Sequence, residues 1–212
     1  MSESPSVNKD RVLTCSVYCN GNKLGNEYTL VAATVHLELN RIGKATLKFN
    51  AGNMNKQTFD ESDADLFKPG NAIRLEVGDI EKENILFDGM IIGLRIITDK
   101  DFHSYMLVEC RDHAYSATQG RKNRIFEKKK DCDIIKEVLS AYGSVEVDST
   151  PYQYPTLVQY YCSDWDFALS RADANGLFIF TDGGKIKVKK PDVSTSPVLT
   201  VTYGVDLTAF DL

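Results

Sequence analysis

The chain has 212 residues, with 25 Lys plus Arg against 30 Asp plus Glu and a formal charge of −5. That mild acidity argues against a dedicated nucleic-acid binder, which would carry a basic field. No run approaches the roughly 18 apolar residues of a membrane span, and the polar start Met1-Ser-Glu-Ser-Pro-Ser6 is not a secretory signal.

The first half reads as strands divided by turns. After a flexible N-terminus over 1–11, Val12 to Cys19 is β-branched and closed by Asn20-Gly21. Thr34 to Leu39 alternates, with Val35, Leu37 and Leu39 on one face and His36 and Glu38 on the other. Ala45, Leu47 and Phe49 repeat the pattern after Arg41-Ile42-Gly43. Period two with one wet face predicts an antiparallel sheet. A loop rich in Asn, Asp and Ser follows from Ala51 to Asp65, and Pro69-Gly70 introduces Ala72 to Val77. Ile85 to Ile97 is a long strand whose Gly89 and Gly93 suggest bends or bulges, as in a sheet curling into a barrel. Ser104 to Cys110 completes a series that predicts a barrel or sandwich over 12–110.

The composition changes near Arg111. Arg121 to Lys130 is a basic stretch around Ile125-Phe126, predicted as a solvated loop entering a helix. Asp131-Cys132-Asp133 supplies the helix start, and Ile134, Ile135, Val138, Leu139 and Tyr142 recur at helical spacing before Gly143. A second helix is capped by Ser163 with Asp166 as its capping-box acid, and Asn175-Gly176 ends it. Trp165, Ala168, Leu169 and Ala172 form its apolar stripe. Leu177 to Phe180, the turn Asp182-Gly183-Gly184 and Lys185 to Lys189 predict a hairpin. Residues 111–190 therefore form a small α+β domain with two short helices and a hairpin. Residues 191–212 read as a linker and then a strand from Val198 to Tyr203, which must pair with something else.

The search for chemistry assigns no catalytic, cofactor-binding or metal-ligating residue. Five scattered cysteines suit buried thiols in a reducing compartment better than a disulfide framework. Cys15 and Cys19 share a strand face but have no matching ligand pair downstream. Asp164 and Asp166 are the paired carboxylates that a carbohydrate-active enzyme would use. Two acids in the first turn of a helix are better explained by its dipole and cap alone, so the structural reading is preferred. Asp112-His113 with Ser116 can be drawn as a relay, although sequence gives no geometry for it.

The segment Gln159-Tyr-Tyr-Cys-Ser-Asp-Trp-Asp-Phe-Ala-Leu-Ser-Arg-Ala-Asp-Ala-Asn-Gly176 adds a different kind of signal. It resembles the Q-x-x-E-S-D-W-D-F-L-x-R-L-A-E-x-x-G segment of the VgrG family, the spike proteins of type VI secretion systems, and of related phage tail hubs. Cys162 stands where that family often has Glu, and Ala168 where it often has Leu. Phe67-Lys-Pro-Gly70, Leu86-Phe87-Asp88-Gly89, Val108 to Asp112, Asp131 to Tyr142 and Thr202 to Leu207 resemble further family segments in the same order.

The resemblance implies a mainly β, tail hub-like barrel followed by the small α+β domain, with 191–212 as linker and first strand of a truncated second barrel. It implies a non-enzymatic structural hub of a trimeric spike that caps a hexameric Hcp-like tube and contacts baseplate components. Effector cargo would travel with it, and no cofactor, nucleic acid or stable membrane insertion is implied for this region. Such a protein waits in the cytoplasm and is secreted through the apparatus without a signal peptide. The alternatives are a baseplate hub of a phage or prophage and, from another class, the carbohydrate-active enzyme using Asp164 and Asp166.

Overall fold

The computed structural model describes residues 14–52, 65–78, 83–98, 100, 103–194 and 200–203. Seven antiparallel strands make the first sheet: β1 Thr14–Cys19, β2 Asn22–Lys23, β3 Leu30–His36, β4 Lys44–Asn50, β5 Ala72–Gly78, β6 Glu83–Thr98 and β7 Ser104–Asp112. Their order is β2-β1-β5-β6-β7-β4-β3. Alternation decides burial here as the sequence predicts; Ala45, Leu47 and Phe49 of β4 point inward while Lys44 and Asn50 are exposed. Val17, Leu47, Ile73, Phe87 and Met106 come from five different strands and share one core.

β1 and β4 lie near opposite ends of the sheet order, yet both feed that core. The sheet therefore curls until its ends face each other across a cleft of about 550 Å³, lined by Cys15, Val17 and Leu24 on one side and Thr29, Leu30 and Phe49 on the other. The expected closed barrel is not formed among the described residues. Closure needs a continuous ladder between the last strands, and β2 offers two residues where β3 has seven. Register breaks between Leu30 and Ala32, Leu75 and Glu76, and Ile91 and Gly93 supply the curvature.

Gly93 thus marks a bulge, but Gly89 has another reason. A Cβ at Gly89 would sit 2.1 Å from the Arg111 carbonyl oxygen of β7. Gly89→Ala is expected to cost roughly 1–3 kcal/mol through strand displacement. Urea unfolding checks this, and an unchanged midpoint would show that β6 and β7 can separate freely.

The second layer contains β8 Lys122–Lys130, α1 Asp131–Leu139, β9 Ser144–Val147, β10 Gln153–Cys162, α2 Asp164–Asp173, β11 Phe178–Asp182 and β12 Lys185–Lys189. β8 and β10 pair as an antiparallel ribbon. A three-stranded sheet has the order β11-β12-β9, with β9 parallel to β12. The helices lie between these two sheets. Ile135, Leu139, Trp165, Ala168 and Ala172 face the three-stranded sheet, whereas Ile134, Val138 and Phe167 meet Phe126 of the ribbon.

Several boundaries move. The stretch 121–130 is strand β8 rather than a solvated loop, with Phe126 buried in its middle. Its charge run tolerates a buried face because acids of the helix layer pair with Lys122, Arg124 and Lys129. β3 ends at His36, so Leu37 and Leu39 leave the sheet. Asn40, at φ +61, instead ties that loop to β11; its N–H donates to the Ile179 carbonyl and its Oδ1 accepts from the Ile179 N–H.

Helix α1 ends at Leu139 and continues as a single 3-10 turn over Ser140–Tyr142 before Gly143. Its N-cap position is Lys130, which makes no side-chain cap; Asp131 is the first helical residue, and its carboxylate accepts from Arg171 and Asn175. Helix α2 has the predicted Ser163 cap, whose Oγ accepts from the Asp166 N–H at 3.0 Å; Asp166 closes it through its side chain, accepting from Ser163 Oγ at 2.6 Å, rather than from the Ser163 N–H of a full capping box. The β11–β12 hairpin uses Gly183 at φ +55 and Gly184 at φ +78, the double positive turn that matches strand twist. Most of the predicted loop from Ala51 to Asp65, the N-terminus over 1–11 and residues 204–212 lie outside the described residues. Of the predicted strand over 198–203, Thr200–Tyr203 are described, with an isolated bridge at Tyr203.

Candidate assembly surfaces

Two buried acids fasten the ribbon and helices together. The Asp164 side chain is fully buried at the start of α2, and Lys122 Nζ, Tyr142 Oη and Arg124 donate to its Oδ2 at 2.6, 2.7 and 3.3 Å. Gln159 Nε2 donates to Oδ1 at 2.9 Å. Burial alone would raise this carboxyl, but the hydrogen bonds from Gln159, Lys122 and Tyr142 and the charge of Arg124 hold it below the usual carboxylate range. Asp131 forms the second anchor. Arg171 of α2 grips both of its oxygens, at 2.6 and 2.9 Å, and Asn175 donates to Oδ2 at 2.8 Å. Its pKa is likewise depressed, with burial opposed by Arg171 and Asn175.

These anchors fix which face of the ribbon is turned outward. Ile125 lies opposite Val158, and they are 68% and 51% exposed; Tyr160 is 81% exposed. Lys128 at φ +50 interrupts the alternation, so that Phe126 and Lys129 both turn inward. Tyr161, at φ +45, sits on the break in register near the end of β10. Its N–H donates to Asn123 Oδ1 at 2.9 Å, and the Arg121 guanidinium lies 4.9 Å from its ring centroid. An aromatic residue at positive φ is uncommon and persists only where its surroundings hold it.

The second candidate surface is β3, which among the described residues has no strand paired on its outer side. β3 reads Leu-Val-Ala-Ala-Thr-Val-His, without charge or proline, and residues Val31 to Thr34 are all exposed. Natural edge strands are normally blunted by charge, proline or shortness. The opposite edge, β2, is short. β3 has only the irregularity at its start.

The residues considered for chemistry are placed differently. Asp164 is saturated by donors from four side chains, while Asp166 is exposed and caps the helix, so the two do not face one substrate. Asp112 accepts from the Ala114 N–H, His113 Nε2 lies 3.4 Å from Asp88 Oδ1, and Ser116 Oγ points to Met90 sulfur at 4.0 Å. No relay forms among Asp112, His113 and Ser116. The hydrogen bond to Asp88 raises the His113 pKa against its partial burial. All five cysteines are free thiols. Cys15 is exposed and Cys19 buried on the same strand face, with burial deepening along β1.

Sequence reasoning missed the anchoring role of Lys122, Arg124, Asp131 and Arg171, since all four lie far from their partners along the chain. Val158 and Tyr160 lie in β10, and neither it nor β9 is among the elements predicted from the sequence; Ile125 is read there only as part of the basic stretch.

The fold is similar to that of phage tail proteins and of a type VI secretion component. It is similar to the 43 kDa tail protein of prophage MuSo2 from Shewanella oneidensis, with a TM-score of 0.64 at 11% identity, covering 84% of this chain and 53% of that one. The tail protein from Neisseria meningitidis MC58 gives 0.64 at 13% identity, covering 88% and 53%. The E. coli c3393 protein, a type VI secretion component with similarity to T4 bacteriophage gp27 and gp5, gives 0.59 at 14%, covering 81% and 48%. The chain thus spans about half the length of these three proteins. It belongs to the Alg8 N-terminal domain family, whose model matches residues 9–212. None of the curated proteins matches it.

Proposed function

We propose that this chain is a structural, non-enzymatic part of the tail or spike of a contractile injection apparatus. The finer reading is the hub of a trimeric VgrG-like spike that caps a hexameric Hcp-like tube, touches baseplate components and carries effector cargo when fired. A baseplate hub of a phage or prophage is built on the same architecture. On either reading the protein assembles in the cytoplasm, and the spike form leaves the cell with the expelled tube. The observation that carries the proposal is the edge of β3, exposed and unpaired among the described residues, on an open, curled sheet. Such an edge continues its ladder into a neighbouring subunit, joining the subunits of a ring by backbone hydrogen bonds.

The test is a double charge at that edge. Ala33→Lys with Thr34→Lys places two lysines at exposed positions, so thermal stability of the free chain should stay within about 0.5 kcal/mol. Incorporation into apparatus particles purified from producing cells, read by quantitative mass spectrometry, should fall at least about tenfold, equal to 1.4 kcal/mol. Wild-type incorporation of the folded variant would sink the edge-pairing reading.

A further inference from the structure

The ribbon presents a feature that pairing at β3 does not use. Residues 121–130 contain six bases and one acid; Lys122, Arg124 and Lys129 pair with Asp164 and Glu137 of the helix layer, while Arg121, Lys128 and Lys130 are exposed, and the rest of the chain carries a formal −10 (−5 minus +5). On this basic ribbon Ile125, Val158 and Tyr160 form an exposed apolar centre, with Arg121 and Tyr161 beside it. Aromatic and arginine side chains around an apolar centre are the usual anchors of a protein interface. The strong acidity of the remaining chain disfavours a polyanion as the occupant.

A counterpart lies elsewhere on the same molecule. Leu37, Leu39 and Phe180 line a groove of about 290 Å³ flanked by Glu38 and Asp182. Leu37 and Leu39 are 48% and 56% exposed. Each acid shares its charge with a nearby base, Glu38 with Arg41 and Asp182 with Lys187. Exposed pairs of that kind contribute little and exchange partners readily.

The two patches occupy opposite ends of one layered unit. Ile179 faces the helices, so Phe180 and Asp182, alternating with it on β11, face away from them. The ribbon covers the other side of the helix layer through Phe126 and Phe167, whose rings stack at 5.8 Å. Patches of opposite character on opposed faces suit a head-to-tail contact, which closes into a ring when the rotation allows.

From this geometry we infer that the outer face of the β8–β10 ribbon docks into the Leu37–Phe180 groove of a second copy of this chain. The inference rests on the reading of the protein as an assembly subunit, but concerns a contact separate from β3. To test it, Tyr160 is replaced by the photo-crosslinker p-benzoylphenylalanine in the full chain. Isotopically labelled and unlabelled copies are then mixed, irradiated and mapped by mass spectrometry. Crosslinks joining position 160 to residues 37–39 or 180–182 of a differently labelled copy are the expected result.

Sedimentation velocity supplies the second measurement. Tyr160→Ser with Ile125→Thr should raise the dissociation constant at least about tenfold, with the circular dichroism spectrum unchanged. Crosslinks confined to other surfaces, binding only to nucleic acid, or unaltered association of the folded double variant would each overturn the inference. If position 160 crosslinks elsewhere while the charged β3 edge still blocks incorporation, the ribbon contact falls and the assembly reading stands. Crosslinks into the groove alongside normal incorporation of the β3 variant would support the ribbon contact and count against edge pairing.

Discussion

Asp164→Ala is expected to destabilise the chain by about 3 kcal/mol, the lower end of the cost of breaking a buried ion pair. The substitution strands Lys122, Arg124, Tyr142 and Gln159, all of which converge on the lost carboxylate. The loss stays at the lower end because the side chains of Lys122 and Arg124 are 36% and 34% exposed and can turn toward water. Gln159 cannot, being fully buried with Oε1 lacking a partner among the described residues, and its Nε2 keeps only the 3.3 Å bond to the Cys162 carbonyl. The effect should be localised, with the β8–β10 ribbon losing hydrogen-exchange protection before the seven-stranded sheet does.

The same site gives a pH dependence with a defined sign. The folded pKa of Asp164 is depressed, so its contribution is fully present above the unfolded value, about 3.9. It is lost as pH falls through the depressed folded value. Asp131, also depressed, acts in the same direction and window. The stability gap between wild type and Asp164→Ala should therefore narrow as pH is lowered below about 4. Denaturant titrations at pH 7 and pH 3 check this. A gap that widens in acid would mean that the carboxylate is not charged in the folded protein.

Phe67→Ala is expected to cost about 3–5 kcal/mol, the range for removing a fully buried aromatic ring. Phe67 ends the short 3-10 turn Asp65–Phe67 and is completely buried in the sheet core. Its ring meets Tyr28 edge-on at 5.2 Å and Phe49 at 5.4 Å. Next to it, the Leu66 carbonyl accepts from Cys19 Sγ at 2.9 Å and from Asn71 Nδ2 at 2.8 Å. The turn therefore plugs the curled sheet near the side where its ends do not ladder, and removing the ring opens a cavity between β1 and β4. Equilibrium urea unfolding measures the loss. A cost below about 1 kcal/mol would show that the sheet collapses onto the vacated space.

Local rules read some elements correctly because their causes are local. The α2 cap needs only Ser163 and Asp166, and the β11–β12 turn needs only two adjacent glycines. The inward face of β4 follows from strict alternation at Ala45, Leu47 and Phe49. The basic stretch at 121–130 was misread for the opposite reason. Its bases look solvated along the chain, as Arg121, Lys128 and Lys130 are, whereas Lys122, Arg124 and Lys129 pair with acids of the helix layer. Leu37 and Leu39 fit a strand pattern equally well, yet backbone bonding of Asn40 to Ile179 draws that segment out of the sheet.

A net charge of −5 argues against a dedicated nucleic-acid binder, but net charge does not show how unevenly the charge is placed. Composition, alternation and capping residues determined a mainly β chain with two helices, because each depends on neighbours a few residues away. Only the tertiary structure decided that the sheet remains open, since closure requires the curl of all seven strands to bring the edges β2 and β3 into one continuous ladder, and β2 is only two residues long. It also decided that Asp164 is an anchor, as the donors that use up its carboxylate come from separate elements brought together by the fold.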